Sequence, residues 1–265
     1  MLARSRKSGS PMKRVAEPWN GNHRSSRQLW FQIRNVSRCA CSEVDFQCRQ
    51  SHNAVMCHRF QAKLRLKALV EEFALTQQET LPFPTGDRFP GSDVVAIHLD
   101  PDRERQVKLL NWGLLPRWWK PSAKFHSPQS FQRMTFNSRS ETIHEKPSFR
   151  DAFKQRRALI PVTAFYEGGH FFGLKDHELF ALAGLWESWQ LGEDKLETCT
   201  VVTTAANPLV EQYHPRKRMP VILSGEESYA RWLDPDVKDR GRLEDLFIPF
   251  EEQLMTCVAE SDTVA

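Results

Sequence analysis

The chain has 265 residues, 40% of them hydrophobic and 11% aromatic, enough apolar material to bury the core of one large domain or two small ones. No run of 18 apolar residues occurs, and the longest such stretch, "LFALAGLW" from Leu179 to Trp186, is too short for a membrane-spanning helix. Net charge is +4, but residues 1–56 hold ten Lys/Arg against three acids while the remainder holds 27 against 30, so overall charge is no argument for nucleic acid and only a local basic patch is.

Residues 1–55 are rich in Ser, Arg and Asn and show no sustained apolar period, so they are expected to be a disordered basic leader. An Arg/Ser-rich, acid-poor leader also fits a mitochondrial transit peptide, and a start assigned too early, with Met56 as the true start, fits as well. The apolar stretch and small-residue cleavage site of a secretory signal are missing, so an intracellular protein is expected: cytoplasmic or nucleoid-associated in a bacterium, nuclear or organellar in a eukaryote. In that setting the six cysteines are expected to be reduced. Cys39, Cys41, Cys48 and His52 suggest zinc only weakly, because C-x-C is not the usual spacing and no second pair follows; no metal or other cofactor is expected.

After Met56 the texture changes. "RFQAKLRLKALVEEFAL" places Leu64, Leu66, Leu69, Val70 and Phe73 near helical spacing and predicts a short helix, followed by a loop over "LPFPTGDRFPGS". "DVVAIHL" and "VKLLNWGLL" predict strands, and "WWKPSAKFHSPQS" a connector. "SFRDAFKQRRALI" predicts a helix opened by a serine cap. "PVTAFYE", "FFGLK", "LFALAGLW" and "TCTVVTTAA" are β-rich, "PVIL" is a short strand, and a helix is expected from Ser224, where acids fill the first turn. Helices and strands interleave without a βαβ repeat, which predicts one α+β domain over 57–257 with a tail at 258–265.

Several residue types in this chain suit chemistry. Cys57 follows Met56 directly, and removal of the residues ahead of it would leave an α-amine and a thiol on adjacent carbons, a pair that captures an aldehyde as a five-membered thiazolidine. Read by residue type alone, Cys57 is first a small buried hydrophobe. "FNSRSET" puts Asn137, Arg139 and Glu141 on one face if extended, or is a surface turn. Glu167 ends a β-like run before two glycines, as a general base or a solvated strand-end acid. His214 stands ahead of Arg216, Lys217 and Arg218, as a proton shuttle beside phosphate-binding cations or as a structural histidine. Trp112, Trp118 and Trp119 alternate with Arg117, Lys120 and Lys124, a mixture suited to unstacked nucleic acid or to core packing.

Taken together, "MCHR", "WGLLPRWW", "FNSRSETIHEKPSFRDAFKQRRALIPVTAFYE", "LFALAGLWESW", "TVVTTAANPLVEQYHPRKRMPVIL" and "RWLDP" resemble, in order, the SOS-response-associated peptidase (SRAP) family of abasic-site-shielding proteins, over Met56 to Asp236. The resemblance implies an α+β fold with a barrel-like, mainly antiparallel β core flanked by helices. It implies a monomer with a basic groove for single-stranded DNA and a covalent crosslink to abasic sites through an N-terminal cysteine. Carried over, Cys57 is the nucleophile, Asn137 orients it, Glu167 is the acid/base group, and His214 assists ring opening and reversal. Arg59, Arg139 and Arg218 look like phosphate contacts, and Trp118 and Trp119 resemble the aromatic feature beside the DNA path. The chain departs from the pattern at His58, where the family often has glycine, and at Gly168, where it often has tryptophan. His214 stands four residues before Arg218, where many members have two. Two other readings stand beside this one: a cysteine peptidase built on Cys57, His214 and Asn137, and a non-catalytic binder of single-stranded DNA.

Overall fold

Strand pairing closes a barrel out of the longest β segments. In the computed structural model, which describes residues 57–76 and 83–263, the first short strands are β1 (Phe60–Ala62) and β2 (Gly86–Arg88). They are followed by β3 (Asp93–Leu99), β4 (Arg105–Trp112), β5 (Asn137–Arg139), β6 (Arg157–Val162), β7 (Ala164–Glu167) and β8 (His170–Leu174). The long pair β9 (Phe180–Leu191) and β10 (Asp194–Ala205) comes next, then β11 (Arg218–Pro220), β12 (Ile222–Leu223) and β13 (Met255–Ala259). Strands run in the order β10–β4–β3–β6–β9, and β9 pairs β10 again from Asp194↔Leu191 to Val201↔Gly184, so the five close on themselves. The β9–β10 hairpin turns through Gly192, whose φ of +61° glycine adopts without steric penalty. A closed barrel leaves no free edge among those five strands.

The second sheet has the order β13–β8–β7–β1–β2 and is antiparallel throughout. This sheet positions the residues of interest. β1 meets β7 at Phe60↔Phe165, and the ladder steps back to Arg59, whose carbonyl accepts the Tyr166 N–H at 3.0 Å. The register therefore brings the chain just ahead of β1 alongside the end of β7. The buried core beneath includes Phe60, its ring 4.8 Å from that of Trp112, and both side chains are fully buried. Each such apolar side chain contributes roughly 1.5–3 kcal/mol by leaving water.

Among the described residues, five α-helices accompany the sheets: α1 (Leu66–Glu72), α2 (Pro128–Gln132), α3 (Arg150–Gln155), α4 (Pro208–Glu211) and α5 (Glu226–Leu233). The expected architecture, an α+β fold with a barrel-like and mainly antiparallel core, is the one observed. Local expectations fared unevenly. "DVVAIHL" is β3 from end to end, and acids do fill the first turn of α5. The helix expected over "RFQAKLRLKALVEEFAL" keeps only Leu66–Glu72, because Phe60–Ala62 joins the sheet instead. The helix expected over "SFRDAFKQRRALI" stops at Gln155, its N-cap is Phe149 without a side-chain bond, and Arg157–Val162 becomes a barrel strand buried at every position. The connector at "WWKPSAKFHSPQS" runs into α2, opened by a Ser127–Ser130 capping box. The C-terminal strand reaches Ala259, and a 3-10 turn, Glu260–Thr263, follows. The leader expected over 1–55 and the zinc candidates in it lie outside the described residues. No helix of the described residues is long and apolar enough to cross a membrane.

Arg157 ties helix ends to the barrel. From β6 it donates to the main-chain oxygens of Phe153, Trp232 and Asp234, satisfying carbonyls left open where α3 and α5 end. Burial lowers its pKa to about 10, with the Asp234 charge opposing.

Candidate active site

Four residues from four segments meet at the open end of β7. Cys57 lies three residues ahead of β1, Asn137 opens β5, Glu167 closes β7, and His214 follows α4; all four are buried. Asn137 Nδ2 donates to the Cys57 carbonyl at 2.9 Å, fixing the main chain of the cysteine. The Glu167 Oε2 stands 3.6 Å from His214 Nε2. On the far side of the ring, His214 Nδ1 accepts main-chain N–H bonds from Arg216 at 3.0 Å and Arg218 at 3.4 Å. An accepting Nδ1 fixes the neutral tautomer with its proton on Nε2, facing the carboxyl.

The electrostatics make this a site of uncharged groups. Burial pushes the Glu167 carboxyl up to about 8; the Cys57 thiol and main-chain N–H pull against that shift, yet neither meets hydrogen-bond geometry with Oε1. Burial, and then the Glu167 charge, raise the Cys57 thiol well above its ordinary value. Burial lowers His214, and the Arg216 and Arg218 charges add to the effect. Near neutral pH the three therefore hold as carboxylic acid, thiol and neutral imidazole. Such a cluster moves a proton between neighbours without first creating an isolated buried charge.

The expected DNA-contacting residues are distributed differently. Arg59 sits 4.5 Å over the Tyr166 ring and 4.9 Å from that of Phe171, and its guanidinium pairs with Asp87 at 2.5 Å and Glu260 at 2.7 Å. Arg218 is paired bidentately with Glu141 at 2.5 and 3.0 Å and also reaches the Thr203 carbonyl. Arg139, at the end of β5, is exposed. Trp118 is half exposed, with its indole N–H 3.2 Å from the Pro147 carbonyl. Trp119 is buried against Phe131 and Trp189 in a small satellite core.

Two neighbours of the site were not foreseen, and a third, Gly168, had been noticed only as a departure from the family pattern. Glu260 receives both Arg59 and the Tyr166 hydroxyl, the latter at 2.8 Å, and its main-chain N–H reaches the Gly169 carbonyl at 2.9 Å. Tyr166 alternates with Glu167 along β7, a signal present in the sequence, whereas nothing local marks Glu260. Gly168 packs against Tyr213 with φ +52°, and the two consecutive glycines after Glu167 were its visible trace.

Comparison with known proteins gives this arrangement its relatives. The chain is 34% identical over 221 residues to "Abasic site processing protein YoqW" of Bacillus subtilis (strain 168), covering 79% of this chain and 94% of that one. It is 30% identical over 168 residues to "Abasic site processing protein HMCES" of Gallus gallus, covering 52% of this chain and 48% of that one. A solved structure from Bordetella bronchiseptica superposes with a TM-score of 0.66 at 26% identity, over 77% of this chain and 99% of that one. Another from Bacteroides thetaiotaomicron gives 0.64 at 25%, over 77% and 91%. The sequence model of the family described as SOS response associated peptidase (SRAP) matches residues 56–265, and the chain belongs to that family.

Proposed function

We propose that this protein processes abasic sites in single-stranded DNA by forming a thiazolidine crosslink through Cys57. The observation that carries the reading is the placement of the Glu167 carboxyl between the Cys57 thiol and His214 Nε2, with Asn137 holding the Cys57 carbonyl. The names of the relatives support the substrate class.

The chemistry balances around one carboxyl. A free α-amine on Cys57 attacks the C1′ aldehyde of the ring-opened deoxyribose and gives a carbinolamine. Neutral Glu167 donates its proton to the carbinolamine hydroxyl, which leaves as water, and an iminium forms. The Cys57 sulfur then adds to the iminium carbon, its proton passes to the Glu167 carboxylate, and the nitrogen recovers its electron pair. One water is lost and Glu167 ends as it began, so acid and base are a single residue in turn. In this reading the His214 N–H steadies the carboxylate between the two steps and assists ring opening, while Arg139, Arg218 and Trp118 approach the nucleic acid. Arg59 acts through its hold on the strand after the nucleophile, and Trp119 through the packing beneath Trp118.

The α-amine exists only once the residues ahead of Cys57 are gone, so maturation between Met56 and Cys57 is part of the proposal. The test incubates the full chain, a protein beginning at Met56, and its Cys57→Ala variant with single-stranded DNA carrying one abasic site. A denaturing gel and intact mass are read for each. A heat-stable shifted band from the Met56 form, absent in Cys57→Ala, is expected, with the mass of DNA plus protein less one water. No band from either form overturns the proposal. Peptide cleavage by a protein whose α-amine is blocked would point instead to a peptidase.

A further inference from the structure

Glu167 and His214 lie in segments distant in sequence, and at 3.6 Å no direct hydrogen bond fixes their separation. The residues next to them do touch. Gly168 follows Glu167 and Tyr213 precedes His214. A Cβ on Gly168 would fall 3.0 Å from the Tyr213 Cβ and 3.1 Å from its carbonyl carbon, and would overlap the carbonyl oxygen. Neither wall of this contact yields easily. The Tyr213 segment is turned by N–H bonds from Tyr213 and His214 to the Val210 carbonyl and from Lys217 to the His214 carbonyl. The Tyr213 ring is 4.1 Å from that of His170. On the other side, β7 is held by β1 and by the Glu167↔His170 pairing with β8. The obstacle is a main-chain oxygen, so no change of side chain at 213 removes it.

We propose that Gly168 is a positioning residue: its bare Cα lets β7 dock against the Tyr213 peptide, and this contact sets the distance between Glu167 and His214. The inference rests on the reading above that this pair does the proton work. A control stands next to it in the chain. Gly169 also has a left-handed φ, +85°, but a Cβ there meets nothing within 4 Å. Alanine at either position strains the backbone; only at 168 does it also push β7 away from the Tyr213 segment.

The experiment compares Gly168→Ala, Gly168→Asn and Gly169→Ala with the parent, all beginning at Met56. Asparagine tolerates a left-handed backbone, so Gly168→Asn isolates the steric contact and carries the test if the alanine variant does not fold. Single-turnover crosslinking is followed across pH, and the titrations of Glu167 and His214 are followed by NMR without DNA. Both Gly168 variants are expected to slow crosslinking by at least ~10-fold, because displacements near 1 Å can cost on the order of 100-fold. They are also expected to move the Glu167 and His214 titration midpoints, while Gly169→Ala stays within about 2-fold in rate with unmoved midpoints. Folded Gly168 variants with parental rates and midpoints overturn the inference. So does Gly169→Ala losing as much as Gly168→Ala, which would assign the effect to backbone strain. If both Gly168 variants fail to fold while Gly169→Ala folds, the contact holds the fold rather than the pair, and the inference also falls. Should the parent form no crosslink, the proposed function fails alone, and the titration midpoints still decide the role of Gly168.

Discussion

Two buried glutamates in this molecule, Glu167 and Glu187, have opposite surroundings. Glu187, on β9, receives Arg117 Nε at 2.8 Å and the Ser188 N–H at 3.0 Å on one oxygen, and Arg156 Nη2 at 2.7 Å on the other. Glu167, equally buried, faces a neutral imidazole at 3.6 Å and a thiol, and keeps its proton to a pKa of about 8. Both carboxyls left water, but only one was given guanidinium partners. Burial with cations fixes a carboxylate as a structural charge. Burial without them leaves an acid poised near neutral pH, which is what a proton-transfer step requires.

The comparison breaks most easily at Glu187. Glu187→Leu strands Arg156 in the interior without its counter-charge and is expected to lose about 3–5 kcal/mol of stability in urea unfolding. A loss below ~1 kcal/mol would mean that both arginines reach water readily and that the pair is not a structural charge. The same kind of change at Glu167 is expected to act with the opposite sign. The folded chain holds this carboxyl neutral up to about pH 8 while the unfolded chain ionises it near its ordinary value of 4.5. Parental stability from this group is therefore fully present below 4.5 and is lost as pH rises toward 8. Glu167→Gln removes that loss, so its advantage over the parent should grow across this window by up to ~1.4 kcal/mol per pH unit. Thermal unfolding at a series of pH values checks it, and a parallel pair of curves would refute the raised pKa. The same variant is expected to crosslink about 100-fold more slowly, the usual scale for removing an acid/base group.

The parent's own pH–rate profile sharpens the contrast further. The rate should rise as the α-amine loses its proton near ~7.8 and fall as Glu167 ionises above about 8, giving a maximum near pH 8. A profile still rising at pH 10 would remove Glu167 as the acid. The smallest effect is expected at an exposed pair. Arg65 and Glu178 are bidentate at 2.5 and 2.6 Å, but their side chains are 73% and 51% exposed, so Arg65→Ala should cost no more than ~0.5 kcal/mol.

Much of the site was legible because its residues carry their chemistry in their type and place. An acid at a strand end before two glycines, and a histidine ahead of three cations, are local patterns. What was illegible is long-range. Arg59 finds Asp87 at a separation of 28 residues and Glu260 at 201, and no window of sequence shows either partner. Both members of the Trp118–Trp119 pair meet Phe131, and what separates the buried from the exposed one is Trp189, distant in sequence, which packs against Trp119. Arg157–Val162 failed as a helix for a related reason. A barrel strand buried on both faces has no alternation to read, and the preceding helical residues lent it their period. Glu187 left one clue, the only charge of its strand, set between two tryptophans, but the arginines that hold it lie elsewhere in the chain.

The sheet order β13–β8–β7–β1–β2 has a consequence for how the protein is made. Its strand β1 follows Cys57, its central strand carries Glu167, and its strand β13 is translated long after either of them. A chain still being translated therefore holds Cys57 without the strand order that surrounds it in the finished molecule. Any removal of the residues ahead of Cys57 that draws on Glu167 and His214 has to wait until both of those segments have been made, which separates maturation from the synthesis of Cys57 in time. On nascent chains arrested before His214 emerges, Cys57 should be alkylated as fast as an exposed thiol, and slow alkylation there would contradict this order of events.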